Sequence, residues 1–546
     1  MIKYVFTYIL LIILTMLVSC RREGHYCDET DSLYGFCDDI ACGFTQYTEE
    51  VMAGLGLIAA DAAEPLYGGT ITLSMRNPIS LNPLINVDET VDLILSLIFE
   101  RLFILDKGGR PIPNPALLEH AEMADNASYI TLTLHENIVW ANNTPITAND
   151  VQFSINFLRN SAPPQAIYKQ NVENISSVTV VNTRTVRINF TQPNAHMPYM
   201  LSIPIVPMNH YNNISLTHTR QMNPVGNGPF AMYSFTLGRG MVLSRNDLAL
   251  RGRPYIRYID VRFLDSEEAD AVAVRNAVVD VAFLRNTGIG FFVTQTYLSV
   301  TQEITGMFDF IGFNFTSTIA SNIGFRRAVL YSLPFHTIVN GVYGGSAVSA
   351  KTPISPVSWL YNADMIHPQQ DRVRALEHLE NGGIEPWFLS VRILVNEENG
   401  ERIRIASILS EGLMDLGFSP EIVILPWVEF ILALEQGDFD IFIGGYNLSH
   451  NPDLSFMFRN ENANFMRYST GELRGLLQRA VTAFSIFTDE NDMIYAYRDI
   501  QEYFVRELPL IGLVFRTSTI VTNNRIQGVD VSAGIFNNIE RWFLNE

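Results

Sequence analysis

Apolar and polar positions follow two recurring patterns along the chain. Residues 70–75 and 129–134 alternate with the period of two that is typical of a strand covered on one face. Residues 91–105 carry apolar side chains at helical spacing, and Gly108 with Gly109 then predicts a turn. Because both patterns return throughout the chain, the sequence predicts an α/β fold.

Several predicted helices have recognisable ends. Thr147 and Asp150 form a capping-box pattern, which predicts a helix that begins before Val151. Gly417 and Pro509 each end a predicted helix. The sequence contains no tandem repeat and no long low-complexity linker, which is expected of lobes joined by short strands. The remaining predicted elements are helices at 325–342, 403–416 and 493–508, and strands at 389–395, 439–444 and 510–514.

The first twenty residues are a separate feature. Residues 4–18 are an almost unbroken apolar run, and Lys3 is the only charged residue before position 21. The run is shorter than the roughly 20 residues that span a bilayer and has the length of a signal-peptide core. It ends in LVSC, which resembles the bacterial lipobox. The sequence therefore predicts a lipoprotein signal peptide at 1–19 and lipidation of Cys20, with an ordinary secretory peptide as the alternative.

Three more cysteines follow within residues 20–65, at Cys27, Cys37 and Cys42. Their spacing matches no common zinc pattern, and no histidine pair stands beside them. One disulfide with one thiol left over is expected in an oxidising compartment, and the odd count leaves the pairing open. The mixed, turn-rich composition predicts a tether between lipid and domain, with a short helix at 51–63.

Composition narrows the class of protein. The chain has 546 residues, with 37 Lys and Arg against 57 Asp and Glu, so its formal net charge is −20. This acidic balance argues against a nucleic-acid binder, which needs a basic surface to neutralise phosphates. An apolar share of 47% is ample for sizeable cores. The length fits several domains or one large two-lobed protein.

Motifs of the common enzyme classes are missing. Lys351 lacks the glycine frame of a Walker A loop, and the glycines before Ser346 do not form a nucleophile elbow. His135 and Glu136 lack the second histidine of a zinc-protease helix. The sequence therefore predicts a binding protein that uses no catalytic residue, no cofactor and no metal.

Ordered blocks of sequence then resemble a known family. The run WANNTPITANDV at 140–151 is similar to the family pattern W-x-D-G-T-P-V-T-A-E-D-V. The runs LNPL at 81–84 and LIFERL at 97–102 resemble its LDP…LYEGL opening, and GDFD at 437–440 resembles G-D-Y-D. Over residues 68–530 the chain resembles the extracellular solute-binding proteins of family 5, the oligopeptide, dipeptide and nickel type of ABC-transporter lipoprotein.

The resemblance implies a fold and its division into domains. The fold is a two-lobed α/β fold of the periplasmic-binding-protein type (type II, cluster C), with a hinged cleft between the lobes. The first lobe is discontinuous and carries an inserted subdomain. The implied segments are 66–95, 200–305 and 508–546 for lobe I, 96–199 for the insertion, and 306–507 for lobe II.

The resemblance also indicates where a ligand binds. In peptide-binding members an Asp a few residues after a Gly-Trp pair meets the free amino group of the peptide. Here Tyr446 stands where Trp is common, and Ser449 or His450 falls near the expected Asp. A buried ammonium without a carboxylate is costly, so Asp453 replaces the anchor only if the loop shifts register. The candidate ligand-binding residues are Tyr446, Ser449, His450, Asp453, Trp427 and Asn314.

Three of these assignments have a structural alternative. Tyr446 and Trp427 are either ligand contacts or packing residues. Asn314 ends a predicted strand that enters the second lobe, and its side chain either faces the cleft or points away from it. Asn227, in the run VGNGPF, is interpreted as a structural turn residue, and Trp140 as a large core residue.

The function implied by the resemblance is solute capture. A monomeric lipoprotein on the outer face of the cytoplasmic membrane, periplasmic in a Gram-negative cell, would bind peptides or peptide-like solutes and deliver them to ABC permease subunits. The alternatives are a surface receptor that senses a peptide without import, a binder of nickel or another small solute, and a surface enzyme. The identity, length and charge of the ligand stay open.

Overall fold

The computed structural model describes residues 65–365, 367–387, 389–459, 464–482, 490–532 and 534–545. The chain divides into two units, Met1–Glu64 and Pro65–Glu546, and the described residues all belong to the second. Within them, no helix is both long enough and apolar enough to cross a membrane. The features that lie outside the described residues are the predicted signal peptide, Cys20, Cys27, Cys37, Cys42 and the predicted helix at 51–63.

Strands and helices alternate along most of the described chain, as the sequence predicts. The strands β1 to β19 are Gly68–Met75, Phe103–Leu105, Pro111–Pro113, Leu118–Met123, Tyr129–Leu134, Ile175–Val180, Thr185–Phe190, Phe230–Thr236, Gly240–Arg245, Ile256–Phe263, Val281–Leu284, Leu298–Phe313, Ala347–Ser349, Ser390–Asn396, Ser419–Leu425, Ile441–Asn447, Leu510–Asn523, Ile526–Gln527 and Phe543–Leu544. The helices α1 to α13 are Glu89–Leu95, Ala148–Asn160, Met197–Met200, Met208–Tyr211, Glu267–Arg275, Ile323–Ser332, Phe335–Thr337, Arg372–Asn381, Gly400–Asp415, Trp427–Gln436, Phe456–Arg459, Gly471–Thr482 and Glu490–Glu507.

Two four-stranded sheets form from the first half of the chain. One has the order β1-β10-β9-β8, and β1 pairs in parallel with β10. The other, the insert sheet, has the order β4-β5-β7-β6 and lies within the predicted insertion at 96–199. Beside it, the predicted capping box of α2 is confirmed, because the Asp150 carboxylate accepts the Thr147 N–H at 2.8 Å. The boundaries of the insertion stay a prediction.

A seven-stranded sheet, here called the large sheet, occupies the second half. Its order is β11-β17-β12-β16-β14-β15, and β13 pairs with β17. β14 is parallel to both β15 and β16, whereas β12 is antiparallel to β16 and β17. β12 and β17 are 16 and 14 residues long, so both extend beyond their shorter neighbours. β17 is therefore much longer than the predicted strand at 510–514.

The predicted helix at 91–105 is wrong in its second half. The helix ends at Leu95, and residues 103–105 form β2. The carbonyl groups of Leu97 and Ile98 accept hydrogen bonds from the N–H groups of Phe230 at 2.9 Å and Gly228 at 2.8 Å. Because these carbonyls have distant partners, they are not available to continue a helix.

The predicted helix at 325–342 is interrupted once: residues 325–332 are helical, and helical turns resume at Phe335 and continue to Val342. α6 ends at Ser332, and α7 begins after Pro334. Proline has no N–H to donate and restricts the residue before it, so the helix cannot pass through this position.

The large sheet has an apolar core on each face. Ile311 and Phe313 of β12 belong to a buried cluster that includes Phe325 of α6 and Ile405 of α9. Phe310 belongs to a second cluster, which continues into the insert sheet and the first four-stranded sheet. Trp140, the predicted core residue of the insertion, is 1% exposed and lies in this second cluster.

Candidate functional site

The parallel strands of the large sheet end together on one side. β14, β15 and β16 finish at Asn396, Leu425 and Asn447. The loops that follow the carboxyl ends of parallel strands are the usual place of ligand binding in α/β proteins. We call the loop residues 396–399, 425–428 and 447–455 the carboxyl edge.

The strand β12 continues past the carboxyl edge. It pairs with β16 only from Met307 to Phe313, but with β17 from Leu298 onward. The Leu448 N–H then donates to the Gly306 carbonyl at 2.8 Å. Residues 298–305 therefore have β17 on one side and none of the described strands on the other. A free strand edge offers backbone N–H and C=O groups to another extended chain.

Tyr446 lies where the core meets the carboxyl edge. Its ring stacks on Phe310, with centroids 5.4 Å apart and 11° between the planes, and meets Phe456 edge-on at 5.4 Å. Burial raises the pKa of the Tyr446 phenol to about 12, so the group is neutral at physiological pH. Packing is therefore part of its role, and ligand contact stays a prediction.

Trp427 is the first residue of α10, and its side chain is 52% exposed. The Trp427 N–H donates to Oε1 of Glu398 at 2.7 Å, and Oε2 of Glu398 accepts from Asn396 at 3.0 Å. Glu398 thus joins the end of β14 to the start of α10. The exposed indole stands on a part of the carboxyl edge that these bonds hold in place.

Ser449 and His450 are exposed in the loop after β16. A Cβ atom at Gly109 would lie 3.3 Å from Nδ1 of His450, so this side chain packs against a turn of the predicted insertion. Asn451 donates to the Met200 sulfur at 3.4 Å. The loop is therefore held between the end of β16 and the region around the insertion.

Asp453 and Asn314 have protein partners that fix local turns. Oδ1 of Asp453 accepts the Ser455 N–H at 2.9 Å. Asn314 is 3% exposed, and its amide donates to the carbonyls of Gly437 at 3.0 Å and Phe439 at 2.9 Å. Because Asn314 follows Phe313, which is paired with the first residue of β16, it lies at the opposite end of that strand from the carboxyl edge.

A buried ionic network that the sequence analysis missed lies beside this site. Asp309 is 0% exposed, and its carboxylate contacts Arg402 at 2.7 Å, Arg516 at 2.6 Å and the Tyr343 hydroxyl at 2.7 Å. Arg402 also donates to Asn396 at 3.4 Å. The network therefore connects β12 and β17 to the carboxyl end of β14.

One signal in the sequence could have revealed this network. Asp309 interrupts the apolar run MFDFIGF, and a buried carboxylate is costly unless it is paired. Its partners Arg402 and Arg516 lie 93 and 207 residues away in the sequence. The sequence therefore indicates that Asp309 needs a basic partner, but it does not indicate which Arg or Lys provides it. Among the described residues, no group of three or more His, Cys, Asp or Glu could hold a metal ion.

Together, these features define a class of protein. Parallel strands that end at a loop-lined edge, two long strands shared across the sheet, and a separate insert sheet make up the two-lobed fold of periplasmic solute-binding proteins. The family pattern described as "Bacterial extracellular solute-binding proteins, family 5 Middle" matches residues 113–465. The chain belongs to this family.

Individual proteins that are similar to this chain support its assignment to the family. The oligopeptide-binding protein AppA of Bacillus subtilis (strain 168) is 21% identical, over 88% of this chain and 93% of its own length. The structure of AppA from B. subtilis in complex with a nonapeptide covers 88% of this chain and 100% of that chain, with 20% identity and a TM-score of 0.62. HbpA2 from Haemophilus parasuis gives 19% identity and a TM-score of 0.79, with coverage of 88% and 100%. The predicted fold and family are confirmed.

Proposed function

We propose that this chain captures peptides at the carboxyl edge of the large sheet and delivers them to the permease of an ABC importer. The family is one of solute-binding proteins, and the relative AppA is named for oligopeptide binding. The observation that carries the proposal is the free edge of β12 at 298–305. An extended peptide can add to such an edge through its backbone, which gives affinity without strict sequence preference.

The proposal gives the predicted residues different roles. Tyr446 and Trp427 supply apolar surface for ligand side chains, and Ser449 with His450 supplies polar contacts in the place of the usual Asp. Asp453 shapes the loop through its bond to Ser455. A ligand contact of Asn314 would require its amide to leave the backbone carbonyls that it binds at the other end of β16.

The cellular setting is also a proposal. The apolar run and LVSC at the start of the chain support a signal peptide and lipidation of Cys20. A monomer anchored in this way on the outer face of the cytoplasmic membrane would meet both its ligand and the permease. Radiolabelled fatty acid should be incorporated into the wild-type chain and not into Cys20→Ala.

Peptide binding can be tested on the full-length chain in detergent. Native mass spectrometry should show peptides that copurify with it, and a broad peptide library should raise its melting temperature. Trp427→Ala should weaken the binding of a peptide found in this way by about tenfold, the loss expected for one exposed aromatic contact. Trp387→Ala, which changes an exposed tryptophan at the other end of the sheet, is the matched control and should bind normally. If no peptide of the library raised the melting temperature, the proposal of peptide binding would be wrong.

A further inference from the structure

A second concave surface lies at the opposite ends of the same parallel strands. It is formed by one face of α8, by the last turn of α9 with the two residues that follow it, and by residues 384–387, which lead toward β14. Its volume is about 680 Å³. We call it the amino groove. β14 is seven residues long, so about 20 Å of strand separates the groove from the carboxyl edge. The volume is in the range of small-molecule sites, which is about 300–1,000 Å³.

The amino groove has an apolar lining with one aromatic wall. Leu379 is buried in it, while Met414 and Trp387 are exposed, the latter by 73%. A Cβ atom at Gly417 would lie 3.5 Å from the Trp387 ring, so the indole lies close against the backbone there. Gly417 has φ of +100°, a conformation that favours glycine. The approach of the ring and the backbone geometry thus both suit glycine at this position.

The charges that line the groove do not balance. Arg372 and Asp415 form an ion pair at 3.1 Å and neutralise each other. Glu380 and Glu385 also line the groove, and their carboxylates make no hydrogen bond or ion pair with any described residue. The unpaired charge is therefore negative, and it adds to the net charge of −20 of the whole chain. A cation is the complementary ligand.

We propose that the amino groove binds small amphipathic cations, in which an ammonium group is attached to an aromatic or aliphatic body. Leu376, Ile384 and Met414 provide apolar contact for the body. The face of the Trp387 indole attracts the cation through its quadrupole, and Glu380 and Glu385 supply the opposite charge. This site is separate from the peptide site and does not depend on the proposed function.

Three probes of one shape test the charge preference. The full-length chain in detergent is titrated with 2-phenylethylammonium, neutral 2-phenylethanol and anionic phenylacetate, and binding is followed by saturation-transfer NMR. We expect the ammonium to bind at least tenfold tighter than the alcohol, and phenylacetate not to bind. Equal affinity for all three probes would show a non-specific apolar surface and would overturn the proposal.

Variants place the binding in the groove. Trp387→Ala, and the double variant Glu380→Gln with Glu385→Gln, should each weaken binding of the ammonium at least fivefold. Glu377→Gln is the matched control, because Glu377 is exposed on the same helix but does not line the groove. Unchanged affinity in Trp387→Ala contradicts the proposal. Trp427→Ala should leave binding of the ammonium unchanged. Loss of peptide binding and loss of ammonium binding can therefore be told apart.

Discussion

His196 is a fully buried titratable residue in the predicted insertion. Its Nε2 lies 3.2 Å from the Tyr497 hydroxyl of α13, and its Nδ1 has no hydrogen-bond partner among the described residues. Burial lowers the pKa of His196 from 6.5 to about 4, and the nearby Asp453 carboxylate opposes this shift only in part. The folded protein therefore holds this imidazole neutral at pH 7.

This residue should make stability depend on pH. The unfolded chain binds a proton at His196 below about pH 6.5, whereas the folded chain does so only near pH 4. The stabilisation is therefore present above pH 6.5 and is lost as the pH falls toward 4, by up to about 3 kcal/mol. Urea unfolding should be measured at pH 7.5 and at pH 4.5. Between these two pH values, the free energy of unfolding should fall less in His196→Gln than in the wild type.

Other histidines provide the controls for this measurement. His336 is exposed, so His336→Gln removes an imidazole without opening a buried site and is the matched control. Burial also lowers the pKa of His367 to about 4, so part of the pH dependence should survive in His196→Gln. If the free energy of unfolding fell by the same amount between pH 7.5 and pH 4.5 in His196→Gln and in the wild type, His196 would not be a source of the pH dependence.

At the scale of single residues, sequence predicts burial better than it predicts partners. Trp140 is in the core, as expected. Asn227 is buried, but its Oδ1 accepts the Glu100 N–H at 3.0 Å, from a partner 127 residues away and not within a local turn. Asp309 was missed as a site because Arg516 is 207 residues away. No local pattern specifies a contact across that separation.

The Asp309 network acts at the scale of elements. Arg516 of β17 and Arg402 of α9 both bind the Asp309 carboxylate of β12. Asn399, which caps the start of α9, accepts from Arg516 at 3.4 Å. One carboxylate therefore fixes the relative positions of two long strands and a helix next to the carboxyl edge.

Removal of this carboxylate should be strongly destabilising. Asp309→Ala leaves the Arg402 and Arg516 guanidinium groups, one of them buried, without their carboxylate. Breaking a buried ion pair from one side costs about 3–5 kcal/mol. Chemical denaturation should therefore give an unfolding free energy lower by about that amount.

An exposed ion pair supplies the comparison. Arg479 and Asp499 lie 3.4 Å apart, with both side chains more than half exposed. Asp499→Ala should change the unfolding free energy by about 1 kcal/mol or less, because exposed pairs are screened by water and salt. If the two variants lost equal stability, the Asp309 network would not be a structural link between these elements.

Local signals explain which elements the sequence predicts correctly. The capping box of α2 and the glycine after α9 act through neighbouring residues, and both helices form where expected. The segment after α1 has helical spacing, but its carbonyls accept from residues 227–230. The open edge of β12 arises because β16 stops at Asn447, which no pattern within β12 reveals.

At the scale of the whole molecule, the two proposed binding sites lie at opposite ends of the large sheet. The carboxyl edge lies beside the insertion and the free edge of β12, and the amino groove lies at the other ends of the same strands. Both proposed ligands reach the protein through the field of a chain with a net charge of −20. A field of this kind changes association rates more than it changes the contacts made after binding.

This distinction leads to a prediction for peptides of opposite charge. At 0.01 M salt the Debye length is about 30 Å, so the negative field extends beyond the surface. Of two equally long peptides that bind, a lysine-rich one should associate at least about tenfold faster than a glutamate-rich one in stopped-flow measurements. At 1 M salt the Debye length is about 3 Å, and the two association rates should converge. If the difference persisted at 1 M salt, discrimination would come from contacts within the carboxyl edge, and the net charge would have no role in ligand capture.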